Sequence, residues 1–575
     1  MSTPPQVNIP GCGIVQGIET SAQPTVAKFL NVPYATVLER WRPAVKPTPW
    51  KGVRDASEQG PMCNQPKSAN ILVAMTSVEV DEDDEEAYSK VYSEEHCLNL
   101  NIFVPKNQLN RSQPLIPVMV WIHGGGYKDG SNAMDLYDSS NLVAHSIKTV
   151  GHPVIVVTIN YRLNYFGFFS SPELVQEVQS DTRLSSGDHS KSVGNWGLLD
   201  QKMALEWVRD HIEAFGGNPM EVTAFGESAG SASVGYHLTI PAHHGLFQRA
   251  IMQSGTPTTM TAGRPELEGQ RYFNQLCRHF GLNDPNMSGA EKLAKLRKIP
   301  AKDIAAAGDN GKIGMFIPTI DNVLIHGDVR EWIHDPSRYD PRVKAVMLGD
   351  CRDEGSMFVP DLGAKSLKQW PRFLSRYCPP GEEREFGAIY GTPKTDADAV
   401  RISSTVLSDV VFLYPIHSTS VALMRSGENR RGDDPLDIVR YHFDRPLSIV
   451  ETLNLGLGAH HAVELPFIFG SDTTLDIFSD EEKTLSLRVM NIWILFAWGL
   501  TSRQYSLKHG LDSVLPADVG EGKQEAIVFT EAATVEKAQV ERLSARTIAF
   551  WRRSEGWSKS MREEKARQRQ RQANL

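Results

Sequence analysis

The stretch Glu221-Val-Thr-Ala-Phe-Gly226-Glu-Ser228-Ala-Gly230-Ser-Ala-Ser-Val-Gly235-Tyr-His-Leu238 decides how the rest of the chain is read. A short β-prone run, a G-x-S-x-G turn and a small-residue helical pattern follow one another, which is the strand-turn-helix context of a nucleophile elbow. Ser228 is the nucleophile this context predicts. The turn has to lift the hydroxyl above the edge of a sheet, and a Cβ at either flanking glycine would meet neighbouring backbone. With 45 glycines in 575 residues, the pentapeptide alone also fits a serine near a helix N-terminus, so its partners must be sought elsewhere.

Upstream, Pro117-Val-Met-Val-Trp-Ile-His123 is an almost continuous apolar run feeding Gly124-Gly125-Gly126-Tyr127, and Pro153-Val-Ile-Val-Val-Thr-Ile-Asn160 is a second. Such runs predict strands buried on both faces, as in a parallel sheet. Cys97 to Val104 alternates in period two and predicts a half-buried antiparallel strand. Trp196 to Phe215 has helical spacing and stops at Gly216-Gly217-Asn218-Pro219. Arg249 to Gly255 and Val343 to Gly349 read as two more strands. Strands alternating with helices predict a doubly wound, mostly parallel α/β sheet. The stretches Thr256 to Ile317 and Ser366 to Asp444 are richer in helical pattern and charge, and predict helical insertions above the sheet's C-terminal edge. No repeat or long linker divides the chain, so the expectation is one domain over residues 1–550 and a basic polar tail over 551–575.

Composition narrows the function. Hydrophobic residues at 41% and charged residues at 22% describe a globular protein able to bury a large core. A net charge of -9 argues against a nucleic-acid partner, because such binding needs a basic face to displace counterions. The most apolar stretch, Val489 to Leu500, contains Asn491 and is too short to cross a bilayer, so it predicts a core helix and no membrane span. The six cysteines match no zinc or redox spacing, and neither a metal nor a cofactor is expected. Met1 to Pro10 carries neither a basic nor an apolar signal region, which gives a cytoplasmic expectation; the terminal Ala573-Asn574-Leu575, distantly like Ser-Lys-Leu, adds the peroxisome as a minor second address.

A serine hydroxyl needs a general base, an acid to orient that base, and donors for the developing oxyanion. His123-Gly124-Gly125-Gly126 matches an H-G-G-G oxyanion loop, in which a backbone without side chains presents amides at close range. Gly125, Gly126 and Ala229 are the predicted donors. The acid and the histidine should follow in that order. Asp353 and Glu354 are adjacent candidates for the acid, and His460 and His461 for the base; their residue types and positions leave both choices open.

From about Ile14 to Phe550 the chain closely resembles the type-B carboxylesterase/lipase family, which includes the cholinesterases. The resemblance is carried by Asn31-Val-Pro-Tyr-Ala35, Cys97-Leu-Asn-Leu-Asn-Ile102, the H-G-G-G loop, Asn160-Tyr161-Arg162, Gly194-Asn-Trp-Gly-Leu-Leu-Asp-Gln201, Phe225-Gly-Glu-Ser-Ala-Gly230, Gln253-Ser254-Gly255, Asp353-Glu-Gly-Ser356, and His461 with Glu464 to Gly470. It implies an α/β-hydrolase fold, Glu354 as the acid and His461 as the base. It further implies Glu227 beside the nucleophile, Ser254 hydrogen-bonded into the triad, Arg40 paired with Glu95, and Cys63 close to Cys97 as in the family's first disulfide loop. Between those cysteines lies the acidic run Asp81 to Glu86, and no tryptophan, whereas cholinesterases carry their choline-binding tryptophan in that loop. Trp41 stands where the family has phenylalanine.

The expected activity is therefore that of a serine carboxylic-ester hydrolase acting through an acyl-enzyme on small or medium organic esters. The alternatives are an acyltransferase or biosynthetic tailoring enzyme using the same intermediate, a triacylglycerol lipase, and a non-catalytic binding protein.

Overall fold

A computed structural model describes residues 3–20, 22–66, 89–110, 112–184, 189–308, 316–428, 436–500, 524–532, 534–540 and 542–555. The acidic run Asp81 to Glu86 and residues 556–575 of the basic tail lie outside them. The strands, in chain order, are β1 (Gln6–Ile9), β2 (Gly13–Gln16), β3 (Ile18–Glu19), β4 (Val26–Pro33), β5 (Val53–Asp55), β6 (Asn99–Pro105) and β7 (Ile116–Ile122). They continue with β8 (Ile155–Ile159), β9 (Gly217–Glu227), β10 (Arg249–Gln253), β11 (Ala345–Cys351), β12 (Asp437–Phe443), β13 (Gln524–Phe529) and β14 (Val535–Val540).

Eleven of these form one sheet in the order β14-β13-β12-β11-β10-β9-β7-β8-β6-β4-β3, and β1, β2 and β5 form a small second sheet. Every pairing from β13 through to β8 is parallel, while β14, β6, β4 and β3 are antiparallel to their neighbours. The centre is thus the mostly parallel sheet expected. β7, β8, β10 and β11 are buried at every residue, which explains their unbroken apolar runs.

Three expectations need correction. β6 is not half-buried: all seven residues are buried. Its period-two polar positions are asparagines whose amides are satisfied inside, Asn99 Nδ2 donating to Pro61 O at 2.9 Å and Asn101 Nδ2 to Gln59 Oε1 at 2.8 Å. The stretch Ser366 to Asp444 does supply the helices Trp370–Tyr377, Glu383–Tyr390, Asp396–Leu407 and Tyr414–Glu428, but it ends in the sheet strand β12. The packed chain also continues past residue 550, in a helix over 545–555 that buries Trp551 and Ser554.

Val489 to Leu500 falls largely in the helix Asp480–Ala497, with Trp493 and Ile494 fully buried. Among the described residues one helical span, Asp396–Gly427, is long and apolar enough to cross a membrane, but 72% of its apolar window is buried inside the protein, as for a core helix.

Arg162, just past β8, and Asp200, in the helix Trp196–His211, form a buried bidentate pair, with Nε to Oδ2 at 2.7 Å and Nη2 to Oδ1 at 2.8 Å, and Arg162 Nη1 also donates to Arg42 O at 2.7 Å. Removing one member of such a pair strands the other charge. Arg162→Met should cost about 3–5 kcal/mol, read as a lowered midpoint in denaturant unfolding.

Candidate active site

The parallel order places the C-terminal ends of β7, β9, β10 and β11 along one edge, where ligands of such sheets bind. His123 to Gly126 follows β7, Ser228 follows β9, Ser254 follows β10, and Glu354 follows β11.

Ser228 sits at φ 55° and ψ -118°, a left-handed backbone for a residue with a side chain. The turn holds it there. Ser228 N donates to Gln253 O at 2.9 Å, and Ser228 O accepts from Ala232 N at 2.9 Å as the helix Ala229–Thr239 begins. A Cβ on Gly226 would stand 2.6 Å from Gly230 C, and one on Gly230 would collide with Ile122 O of β7. The elbow is thus wedged between its own helix and the neighbouring strand. Ser228 keeps partial exposure amid otherwise buried residues.

The H-G-G-G loop lies directly against this elbow: a Cβ on Gly124 would stand 3.2 Å from Ser228 Cβ. Gly125 has φ 99°, which L side chains rarely adopt. The loop is braced by Tyr161, whose hydroxyl donates to His123 O at 2.8 Å while its ring stacks on the His123 ring. Gly125 and Gly126 thus belong to the loop that packs on the elbow, and Ala229 is the first residue of the helix that follows Ser228.

The two pairs of alternatives separate by contact. His461 Nδ1 is 2.6 Å from Glu354 Oε2, and Glu354 Oε1 accepts from Cys351 N at 2.8 Å. His460 instead turns Nδ1 to His461 O at 2.7 Å, and Asp353 binds Arg352 Nε and Ala459 N, each at 2.9 Å. His461 and Glu354 are the pair brought together at the elbow; His460 and Asp353 fasten the two loops that carry them through a parallel β-bridge.

Glu227 reaches further into the site than expected. Its Oε1 stands 2.9 Å from His461 Nε2, an ion-pair contact that lacks hydrogen-bond geometry. Burial alone would push the His461 pKa down, but the charges of Glu227 and Glu354 outweigh it and hold the pKa well above the usual histidine value. Glu464 is a third buried carboxyl here, accepting from Gln253 Nε2 at 3.2 Å and from the Cys351 thiol at 3.1 Å. Burial, then the charges of Glu227 and Glu354, raise it to about 7.

Other expectations are displaced. Ser254 Oγ has Cys351 Sγ at 3.9 Å as its side-chain partner, one residue removed from the Glu354–His461 pair rather than bonded into it. Arg40 pairs with Glu94, at 2.8 Å from Nε and 2.6 Å from Nη2, and not with Glu95. The remaining Arg40 donor is fixed by Leu296 O and Ile299 O, and that orientation selects one of two adjacent acids. Cys63 and Cys97 are buried thiols with their sulfurs 2.6 Å apart, the proximity implied by the resemblance.

Sequence reasoning missed the aromatic wall. Phe358 and Phe412 place their rings 5.2 Å and 4.5 Å from the His461 ring. Phe412 arrives on a widened helical turn, Ser408–Leu413, whose Ser408 hydroxyl also accepts from Gly355 N at 2.8 Å. Among the described residues no cluster of three or more His, Cys, Asp or Glu side chains could hold a metal ion.

Residues 3–501 match the family model described as the Carboxylesterase family. The chain is 31% identical to the para-nitrobenzyl esterase of Bacillus subtilis (strain 168) over 491 residues, 82% of this chain and 86% of that protein. It is 30% identical to carboxylesterase 1D of Rattus norvegicus over 586 residues, 96% of this chain and 93% of that protein. Acetylcholinesterase of Gallus gallus is 38% identical over 299 residues, 51% of this chain and 35% of that protein. With its α/β-hydrolase fold, the chain belongs to the carboxylesterase family and is a carboxylic ester hydrolase.

Proposed function

We propose that Ser228, His461 and Glu354 act as a catalytic triad that hydrolyses small or medium organic esters through an acyl-enzyme. The observation carrying this reading is the 2.6 Å contact between His461 Nδ1 and Glu354 Oε2, with Nε2 standing 2.9 Å from Glu227, the residue that precedes Ser228. Neutral His461 accepts the Ser228 proton as Oγ attacks the ester carbonyl. The amides of Gly125, Gly126 and Ala229 receive the negative oxygen. The imidazolium then returns its proton to the departing alkoxide, water attacks the acyl-serine by the same route, and Glu354 holds the imidazole's orientation throughout.

Phe358 and Phe412 give the site an apolar wall suited to an organic substituent. The absence of a tryptophan between Cys63 and Cys97 argues against a choline ester. Rapid mixing with a p-nitrophenyl ester tests the acyl-enzyme: one equivalent of phenol should be released in a burst before the steady state wherever deacylation is slower. Added alcohols should then partition the intermediate, and the ester product measures the acyl transfer that an acyltransferase would favour.

Glu227 sets the acid limb. Catalysis needs neutral imidazole, and Glu227 is the foremost charge favouring its protonated form, so activity falls as pH drops through the raised His461 pKa. Glu227→Gln removes that charge. The acid limb of kcat/KM should move to lower pH; an unmoved limb would mean that Glu227 does not act on the base.

A further inference from the structure

The glycine loop is held from outside by a side chain that the chemistry above does not use. Gln65 lies two residues past Cys63, and its amide meets the main chain of Gly130 twice: Oε1 accepts from Gly130 N at 2.7 Å, and Nε2 donates to Gly130 O at 3.0 Å. Nε2 also donates to Cys63 O at 3.0 Å, which fixes the plane of the amide. Gly130 is buried, so both of its backbone groups need partners inside the protein. A carboxamide meets that need because it carries an acceptor and a donor side by side.

Gly130 in turn packs against the start of the H-G-G-G loop. A Cβ there would collide with His123 Nδ1 and stand 2.9 Å from Gly124 O. Just before it the chain folds back, with Lys128 N and Asp129 N donating to Gly125 O at 2.9 and 3.2 Å. Gly125 O and Gly126 N–H belong to one planar trans peptide unit and point in opposite directions. Fixing that carbonyl against residues 128 and 129 therefore aims the Gly126 amide away from the turn. Asn164 adds a second tie between the same two segments, its Nδ2 donating to Asn64 O at 3.0 Å and to Lys128 O at 3.1 Å.

We infer that Gln65 is a positioning residue for the oxyanion: through Gly130 and the turn at Lys128 and Asp129 it holds the direction of the Gly126 amide, a role that rests on Gly126 being an oxyanion donor as proposed above. Such donors act by being aimed in advance at the place where charge develops. A brace against rotation of that peptide thus acts on the transition state and leaves the binding of the uncharged ester alone.

Two variants of the full chain test the brace. Gln65→Met removes both bonds to Gly130 at similar volume, and Gln65→Glu keeps the acceptor but loses the donor. Rates are divided by the number of sites that a fluorophosphonate titrates to completion, so unfolded protein does not count. For a p-nitrophenyl ester kcat should fall roughly 10–100-fold while KM stays within about twofold. The Ki of an aryl trifluoromethyl ketone, whose hemiketal with Ser228 carries an oxyanion, should rise by the same factor; that of the corresponding secondary alcohol, which forms no adduct, should not change. Wild-type kcat and ketone affinity per titrated site in both variants would overturn the brace and leave Ser228 as the nucleophile. Equal weakening of ketone and alcohol would overturn it too, since that pattern marks general damage to the pocket. A ketone that binds the wild type no tighter than the alcohol would instead sink the acyl-enzyme reading, and the role of Gln65 with it.

Discussion

Ser228→Ala should lose on the order of 10⁶ in kcat toward p-nitrophenyl esters while folding normally. Removing Oγ takes away the nucleophile and leaves only the oxyanion amides and substrate binding, which still give roughly 10³–10⁴ over water. The backbone should tolerate the change. Ser228 holds its place through Gln253 O and Ala232 N, both main-chain bonds that an alanine keeps. Unfolding midpoints for wild type and variant should therefore agree closely, and the loss can be read as chemistry. A folded variant with full turnover would require a different nucleophile.

The second large effect separates two adjacent histidines. His461→Ala should also cost on the order of 10⁶ in kcat, since base and nucleophile act as one unit and their losses are not additive. His460→Ala should keep most of the activity and lose stability instead. His460 is fully buried, its Nδ1 is committed to His461 O, and it forms a β-bridge with Asp353. The measurement is a paired one, kcat beside the unfolding midpoint for each variant. The opposite pattern would place the base at His460 and break the pairing with Glu354.

The contrast between those histidines shows what could be read along the chain. The nucleophile, the glycine loop and the order of acid and base are local patterns, and β7, β8, β10 and β11 declare themselves because a strand covered on both faces must be apolar throughout. β12 does not declare itself. Arg440 and His442 interrupt its apolar run, and they are accommodated inside by partners such as Asp350 and Ser420 that lie outside the strand. The choice of Glu94 over Glu95 for Arg40 depends on two carbonyls about 250 residues away, which no local pattern carries. Phe412 likewise faces His461 because a helical turn widens around it.

Glu227 is the residue whose role grew most between sequence and structure. The resemblance places it beside the nucleophile; the fold sets its carboxylate 2.9 Å from the imidazole. Both glutamates raise the His461 pKa, the charge of Glu227 more than that of Glu354, against the burial that would lower it. This ties the working pH to Glu227 as much as to the base itself.

The central claim is that Ser228 forms the covalent intermediate, and labelling with a fluorophosphonate tests it most directly. Intact-protein mass spectrometry should show one adduct per chain, peptide mapping should place it on Ser228, and ester hydrolysis should fall in proportion to labelling. An adduct on another residue, or continued hydrolysis by fully labelled protein, would contradict the account.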